Sequence, residues 1–282
     1  MEEKIIGIDL GATNIRAAMV QHHTIGDILS QRIRNNGTEE EVLDDVFSVT
    51  DTLMSDGVTA IGIGVPGVVD NEKGMVYDVV YIPSWKQIPL QKFMEARYRV
   101  PVFVNNDANC FALGEYYYGK GKGCDAMIGL TIGTGVGAGI IINQKLYAGR
   151  NCGAGEFGSV SYRNETYEYY CSGSFFQNVH GVDGELVYKR AKEGDAGALR
   201  LYDELGEHLG NCIKMIVYTY DPRLIVLGGS VRNGYTYFEK AMWKQIETCL
   251  FQNSVARLRI EVSSLQNSGI LGAAALYYDS NK

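Results

Sequence analysis

The chain has 282 residues, of which 46% are hydrophobic and 21% charged, and its formal net charge is −7. This length is sufficient for two ordinary domains, and the composition is typical of a globular protein in water. The acidic balance and the lack of a Lys/Arg run argue against a nucleic-acid partner. No apolar stretch is long enough to span a bilayer, and the acidic start does not resemble a signal peptide. We therefore expect a cytoplasmic protein without a membrane partner.

The first fifty residues predict a β-meander followed by a helix. Apolar runs at 5–10, 15–20 and, more weakly, 25–33 are separated by tight turns, which is typical of consecutive strands. The sequence Thr38-Glu39-Glu40-Glu41 has the capping-box pattern that begins a helix.

Alternating strands and helices follow up to residue 118. A strand at 60–65 ends at Pro66-Gly67, a helix runs from Pro89 to Tyr98, and the next strand, 100–104, precedes a helix at 108–118. This alternation predicts an α/β domain.

A glycine-rich segment, 119–123, is the best candidate for a domain boundary. We therefore predict an N-terminal domain of residues 1–118, completed by a C-terminal helix at 269–282, and a second domain of residues 119–268. Within the second domain the patterns predict strands at 126–132, 139–142 and 224–227 and a helix at 198–220.

The second half of the chain begins like the first. Gly7-Ile8-Asp9-Leu10-Gly11-Ala12-Thr13 and Gly129-Leu130-Thr131-Ile132-Gly133-Thr134-Gly135 both read as a strand followed by a turn of small residues. The match is short, so coincidence is an alternative. Interpreted as an internal repeat, it predicts two similar domains that each offer a glycine turn to a shared cleft.

Both glycine turns are candidate phosphate-binding elements. In the first, Gly11 and Thr13 would present backbone amides, and Asp9 could hold Mg²⁺ through water. An ordinary hairpin with a solvated Asp is the alternative. In the second, glycine recurs at every other position from 133 to 139, without the pattern of a dinucleotide-binding or Walker loop. Such spacing weakens a strand, so it favours a phosphate clamp over purely structural glycine.

Asn106 and Asp107 are the candidate catalytic pair, because they follow a predicted strand at the end where α/β sheets bind ligands. A kinase acting on a hydroxyl needs one carboxylate to accept its proton. The alternative is that these residues only cap the helix that follows, and both roles are compatible.

Together these motifs resemble the ROK family of repressors, open reading frames and sugar kinases, over nearly the whole chain. The resemblance rests on the order and spacing of the segments 6–16, 62–67, 106–109, 131–139, 154–158, 225–230 and 269–274.

The resemblance implies a two-domain actin-like ATPase (ribonuclease H-like) α/β fold and transfer of a phosphoryl group from Mg-ATP to a hexose hydroxyl, usually at C6. It implies that Asp107 is the general base. The implied sugar contacts are Gly67, Asn106, Glu156 and Glu168. The implied nucleotide and phosphate contacts are Asp9, Gly11, Thr13, Thr134, Gly135, Gly228, Gly229 and Gly272.

One departure from the family pattern concerns the segment between Glu156 and Glu168. Many members have Gly-His and then a cysteine-rich zinc loop there, whereas this chain has Ser159 and only Cys171 close by. One thiolate cannot build a tetrahedral zinc site, so we predict no zinc. The six cysteines contain no C-x-x-C pair, and we expect reduced thiols.

Two further expectations follow from the resemblance. Repressor members carry an N-terminal helix-turn-helix domain, and the first motif here begins within ten residues of Met1, which favours a kinase. Family members commonly dimerise, so a homodimer is expected.

The sequence leaves the acceptor open. Glucose or N-acetylmannosamine is one possibility, and a β-glucoside or allose in an open pocket is another. Rival functions are a non-catalytic sugar-binding regulator, an actin-like ATPase and a kinase for a carboxylate. An acidic and amide-rich acceptor site suits neutral hydroxyls better than a carboxylate.

Overall fold

The computed structural model describes residues 3–22, 24–150 and 153–282. Its strands within these residues are β1 (Lys4–Leu10), β2 (Asn14–Gln21), β3 (Thr24–Ile25), β4 (Leu29–Arg32), β5 (Val58–Val65), β6 (Val68–Asp70), β7 (Met75–Tyr77), β8 (Gln87–Ile88), β9 (Val102–Asn106), β10 (Met127–Ile132), β11 (Val136–Ile142), β12 (Lys145–Leu146), β13 (Ser161–Tyr162), β14 (Glu165–Thr166), β15 (Leu224–Gly228) and β16 (Arg259–Val262). The helices are α1 (Glu39–Leu53), α2 (Leu90–Tyr98), α3 (Asp107–Tyr118), α4 (Tyr167–Cys171), α5 (Phe175–His180), α6 (Gly184–Lys192), α7 (Ala196–Tyr220), α8 (Tyr235–Ile246), α9 (Gln252–Val255) and α10 (Ser268–Ser280).

The chain divides into two compact units. Unit 1 contains Met1–Asp125, Gly139–Ala154 and Ser264–Lys282, and unit 2 contains Ala126–Ala138 and Gly155–Ser263.

The main sheet of unit 1 has the strand order β3-β2-β1-β5-β9, with β4 also paired to β2. The predicted meander is present as β1 to β4, because β2 pairs antiparallel with β1, β3 and β4. The pairs β1–β5 and β5–β9 are parallel. The carboxyl ends of these parallel strands therefore meet at one edge of the sheet.

Helix α1 begins at the predicted capping box. The Thr38 hydroxyl accepts from the Glu41 backbone N–H at 3.2 Å, and the Glu41 carboxylate accepts from the Thr38 backbone N–H at 2.8 Å. These bonds satisfy amides that have no partner inside a helix. The buried face of α1, including Val42, Val46 and Val49, joins the core on one side of the sheet.

The other side of this sheet is covered by α10. Ile270, Leu271 and Ala274 pack there against Ile5 of β1 and other buried strand residues. The helix comes so close that a Cβ at Gly62 would collide with the Ala273 carbonyl, so only glycine fits at this point of β5.

The second main sheet has the order β12-β11-β10-β15-β16, with β10–β15 and β15–β16 parallel. Its run β11-β10-β15-β16 repeats the order of β2-β1-β5-β9, and the last two pairs of each run are parallel. In both sheets a glycine turn separates the first two of these strands in the sequence, as the short repeat predicts. Of this sheet, β10, β15 and β16 belong to unit 2. Unit 2 contains the long helix α7, which packs against α4, α6 and α8.

The unit boundaries differ from the predicted ones because residues 139–154 group with unit 1. The Leu146 N–H donates to the Asp279 carboxylate at 3.3 Å, and the Lys282 ammonium donates to the Gln144 carbonyl at 2.8 Å. The segment therefore packs against α10, a contact over more than a hundred residues of sequence that local patterns do not reveal.

Within the described residues, no helix has both the length and the apolar character that crossing a membrane requires.

Candidate active site

In unit 1, adjacent parallel strands present predicted site residues in one row. Asp9 lies opposite Gly64 in the β1–β5 pair, and Gly64 lies opposite Asn105 in the β5–β9 pair. Asp9, the Gly67 turn and the Asn106-Asp107 pair therefore follow one another along the same edge of the sheet. Ligands of α/β proteins bind at this edge.

Asn106 connects two of these strand ends. Its side-chain NH₂ donates to the Gly67 carbonyl at 3.1 Å, and its side-chain oxygen accepts from the Ala108 N–H at 2.8 Å as the N-cap of α3. The capping alternative is thus correct for Asn106, and the same bonds fix the start of the helix that carries Asp107.

Asp107 is the first residue of α3, and it is exposed. Its Oδ1 accepts from the Ala108 N–H at 2.8 Å. A helix N-terminus favours a negative side chain. Burial, followed by the charges of Asp107 and Asp9, raises the pKa of the neighbouring Cys110 thiol. Both carboxylates are therefore within electrostatic reach of the same side chain.

Asp9 lies between β2 and the start of α10. Arg16 is its partner in the β1–β2 register and also donates to the Asn267 side chain. Gly269 leaves space for the carboxylate, since a Cβ there would lie 2.8 Å from Asp9 Oδ2. Burial raises the pKa of the Asp9 carboxyl, and the Arg16 guanidinium opposes this shift.

The single carboxylate of Asp9 fits Mg²⁺, which commonly keeps several waters and binds through one or two carboxylates and substrate phosphates. No group of three or more His, Cys, Asp or Glu side chains placed to hold a metal ion occurs in the described parts of the chain.

The first glycine turn is closed by the Gly11 N–H, which donates to the Asn14 carbonyl at 3.0 Å. The Thr13 carbonyl accepts from the Ile33 N–H at 3.0 Å, and the Ala12 carbonyl accepts from the Asn35 side chain at 3.3 Å. Ile33 and Asn35, which follow β4, therefore hold the backbone of this turn through hydrogen bonds.

The second glycine turn is in unit 2 and is held by the segment after α4. The Gly133 carbonyl accepts from the Gly173 N–H at 2.6 Å, and the Thr134 carbonyl accepts from the Ser174 hydroxyl at 3.0 Å. Glu168 of α4 also contacts this turn, because its Oε2 accepts from the Val136 N–H at 2.9 Å. One carboxylate oxygen of Glu168, which is predicted to contact the sugar, thus accepts from the backbone next to Gly135.

Glu156 and Glu168 lie close enough to repel each other. Partial desolvation, and then the charge of Glu168, raises the pKa of the Glu156 carboxyl. A carboxyl group whose pKa is raised by burial and a neighbouring charge is more common at functional sites than elsewhere on a protein.

Glu156→Gln should raise the melting temperature at pH 7 by about 1–2 °C, because it removes a carboxylate that is harder to ionise in the folded protein. The raised pKa destabilises the fold only above the pKa of the unfolded chain, so the gain should vanish as the pH falls to about 4. Thermal unfolding at several pH values measures this. Glu207→Gln, on the exposed face of α7, is the control. A gain that persists at low pH would contradict the electrostatic explanation.

A cavity of about 570 Å³ opens beside the second glycine turn, entirely within unit 2. Its walls come from that turn, from α5, α6 and α7, and from the 3₁₀ helix Ser230–Gly234. Gly228 and Gly229 end β15 and lead directly into this 3₁₀ helix. The sequence analysis missed the remaining walls, which include Gln177, Asp183, Glu185, Tyr188 and Tyr202. The second glycine turn, with Gly133 and Thr134, and the Gly228-Gly229 pair at the end of β15 were local sequence signals near this cavity.

Gly272 lies inside α10 in unit 1, where an added Cβ would collide with the Cys110 carbonyl of α3. Gly272 therefore has a packing role. Its contact with adenosine stays a prediction, which ATP kinetics of a Gly272 variant would test.

Residues 5–280 match the ROK family. The chain belongs to the ROK family. It is 27% identical to the glucokinase of Thermotoga maritima, and the alignment covers 97% of this chain and 96% of that enzyme. It is 26% identical to a xylose repressor of Caldicellulosiruptor bescii, with 96% of this chain aligned to 77% of the repressor.

A ROK family glucokinase from Streptomyces griseus, solved in complex with glucose and AMPPNP, has a TM-score of 0.80 at 27% identity. The match covers 97% of this chain and 98% of that one. The predicted family and the actin-like α/β fold class are confirmed.

The segment in which many ROK members carry a zinc loop is here the short hairpin β13–β14, followed by α4. Cys110, Cys124, Cys171, Cys212 and Cys249 are free thiols, and Cys152 lies outside the described residues. The absence of zinc stays a prediction, which metal analysis of the purified protein would test.

Proposed function

We propose that this protein transfers the γ-phosphoryl group of ATP to a hydroxyl of a hexose or hexose derivative, with Asp107 as the general base. The observation that carries the proposal is the row of Asp9, Gly67, Asn106 and Asp107 at the strand ends of unit 1. The similarity to glucokinases over nearly the full chain supports it.

The roles follow from the chemistry of each group. The exposed Asp107 carboxylate accepts the hydroxyl proton as the oxygen attacks the γ-phosphorus and ADP leaves. Asn106, Gly67, Glu156 and Glu168 orient the neutral sugar through hydrogen bonds, because amides and carboxylates match the donors of neighbouring hydroxyls. Asp9 would hold Mg²⁺ through water, and the ion would supply neutralisation of phosphate charge. Positioning of the reactants and stabilisation of phosphate charge supply most of the rate enhancement in such reactions.

The cavity in unit 2 suits the nucleoside of ATP. Its volume, about 570 Å³, lies in the range of small-molecule pockets. Phe176, Tyr188 and Tyr202 provide aromatic surface, and Asp183 and Glu185 provide hydrogen-bond acceptors. Among the described residues that line it there is no Lys or Arg, which disfavours a polyphosphate chain as occupant. Thr134 and Gly135 would then meet the phosphates.

Val231→Trp should raise the KM for ATP by about tenfold or more, because the larger side chain fills part of this cavity. Affinity for the sugar without nucleotide should stay unchanged. Leu250→Trp is the control, since Leu250 is 84% exposed in the same unit. An unchanged KM for ATP in Val231→Trp would place the nucleoside elsewhere.

The acceptor is tested by coupled ADP release with Mg-ATP and a panel of hexoses, N-acetylhexosamines and β-glucosides. We expect turnover with one class, with glucose or N-acetylmannosamine as the first candidates and phosphorylation at C6. A β-glucoside or allose is the alternative. The similarity to a xylose repressor keeps a second function open. Sugar binding without any ADP release would favour that non-catalytic regulator.

A further inference from the structure

Helix α4 carries Glu168 and is anchored on its other sides. Tyr167, Tyr170 and Cys171 are buried, whereas Glu168 is exposed and reaches the Val136 N–H. The orientation of this short helix therefore decides where the Glu168 carboxylate lies.

Tyr162 contacts both α4 and α7, which also meet directly where the Tyr167 hydroxyl donates to the Asn211 carbonyl at 3.4 Å. Its ring stacks on Tyr167, with centroids 4.4 Å apart and planes at 13°, and meets Tyr170 edge-on at 5.6 Å. Its hydroxyl lies 3.2 Å from Nδ1 of His208 and 3.2 Å from the side-chain nitrogen of Asn211, both on α7. The ring thus packs on α4 and also meets the His208 ring edge-on at 5.7 Å, and the hydroxyl contacts α7.

The hydrogen bonds of this cluster have one consistent direction. The Asn211 NH₂ can only donate, so the Tyr162 hydroxyl accepts from it and donates its own hydrogen to Nδ1 of His208. Nε2 of His208 then carries the ring hydrogen and faces Glu204 Oε1 at 3.7 Å. The other oxygen of Glu204 lies 3.0 Å from His180 Nε2.

The surroundings of His208 favour its neutral form. His208 is only 1% exposed. The centroid of its ring lies 5.0 Å from that of Tyr170 and 5.7 Å from that of Phe175. Burial, and then the Arg163 guanidinium, lowers the pKa of His208, against a smaller opposing effect of Glu204. A neutral imidazole can accept the Tyr162 hydrogen, whereas an imidazolium cannot.

We propose that Tyr162 and His208 are positioning residues, which fix α4 so that Glu168 holds the Val136 amide. They thereby fix the conformation of the second glycine turn and the position of the Glu168 carboxylate that would bind the sugar. The effect on catalysis rests on the proposed function, whereas the structural step does not depend on it.

Amide hydrogen exchange at Val136 tests the structural step without any ligand. Glu168→Ala, which removes the acceptor, and Tyr162→Phe, which loosens it, should each speed this exchange about fivefold or more. His208→Leu should do the same, and His208→Gln, which keeps an acceptor for Tyr162, should restore most of the protection. Tyr218→Phe is the control, since it removes a hydroxyl that accepts from the Leu250 N–H at 3.0 Å in the same unit. Exchange at the wild-type rate in Tyr162→Phe would overturn the proposal.

A double-mutant cycle with glucose as the probe tests the functional step. Tyr162→Phe should raise the KM for glucose about fivefold with little change in kcat, and should have no further effect in a Glu168→Ala background, which lacks the side chain that Tyr162 positions. Additive effects would show that Tyr162 does not act through Glu168. If the wild type turns over neither glucose nor any other sugar, the proposed function fails, and the exchange result still decides the positioning role.

Discussion

Asp107→Asn should lower kcat by at least about a hundredfold, because a general base typically contributes 10²–10⁴ in rate. The amide keeps the oxygen that accepts from the Ala108 N–H, so the start of α3 and the fold should be retained. The KM for the sugar should therefore change little. Steady-state kinetics with the best acceptor of the panel measures both constants.

Asp56→Asn is the matched control, since Asp56 is an exposed carboxylate in a turn of the same unit and should leave kcat unchanged. If kcat of Asp107→Asn fell less than tenfold while thermal unfolding stayed normal, another group would have to accept the proton.

Gly272→Ala should destabilise the protein by about 3 kcal/mol, at the upper end for overpacked cores. The new methyl group would collide with the Cys110 carbonyl, and backbone cannot move aside as a flexible side chain can. The gain in helix propensity, about 1 kcal/mol, is too small to offset this cost. The melting temperature should fall by roughly 6–12 °C, while the KM for ATP stays near the wild-type value.

Gly153→Ala controls for the substitution itself, because nothing lies within 4 Å of a Cβ at Gly153. A Gly272→Ala protein with normal melting temperature and a raised KM for ATP would contradict the packing role and support a contact between Gly272 and adenosine.

The sequence predicted several elements whose determinants are local. The capping box at Thr38 predicted the start of α1, because its hydrogen bonds join residues only three positions apart. The positions of β1, β10 and β15 followed from short apolar runs that end in glycine. The strand ends then located Asp9 and Asp107, because parallel strands align their carboxyl ends.

Features that depend on distant contacts were not visible. The walls formed by Gln177, Tyr188 and Tyr202 come from separate helices, and no local pattern brings such residues together. Gly272 and the glycines of the phosphate turns look alike in sequence, and only the neighbouring backbone distinguishes packing from ligand binding. Residues 139–154 group with unit 1 because they contact α10, which is more than a hundred residues away in the sequence.

Phosphoryl transfer observed directly is the strongest test of the central proposal. ³¹P NMR of the protein with Mg-ATP and the acceptor panel follows the γ-phosphate itself. We predict that a sugar phosphate ester appears as ATP is lost, and that Asp107→Asn largely abolishes its formation. ATP that stays intact with every sugar, although the protein binds one of them, would contradict the kinase assignment.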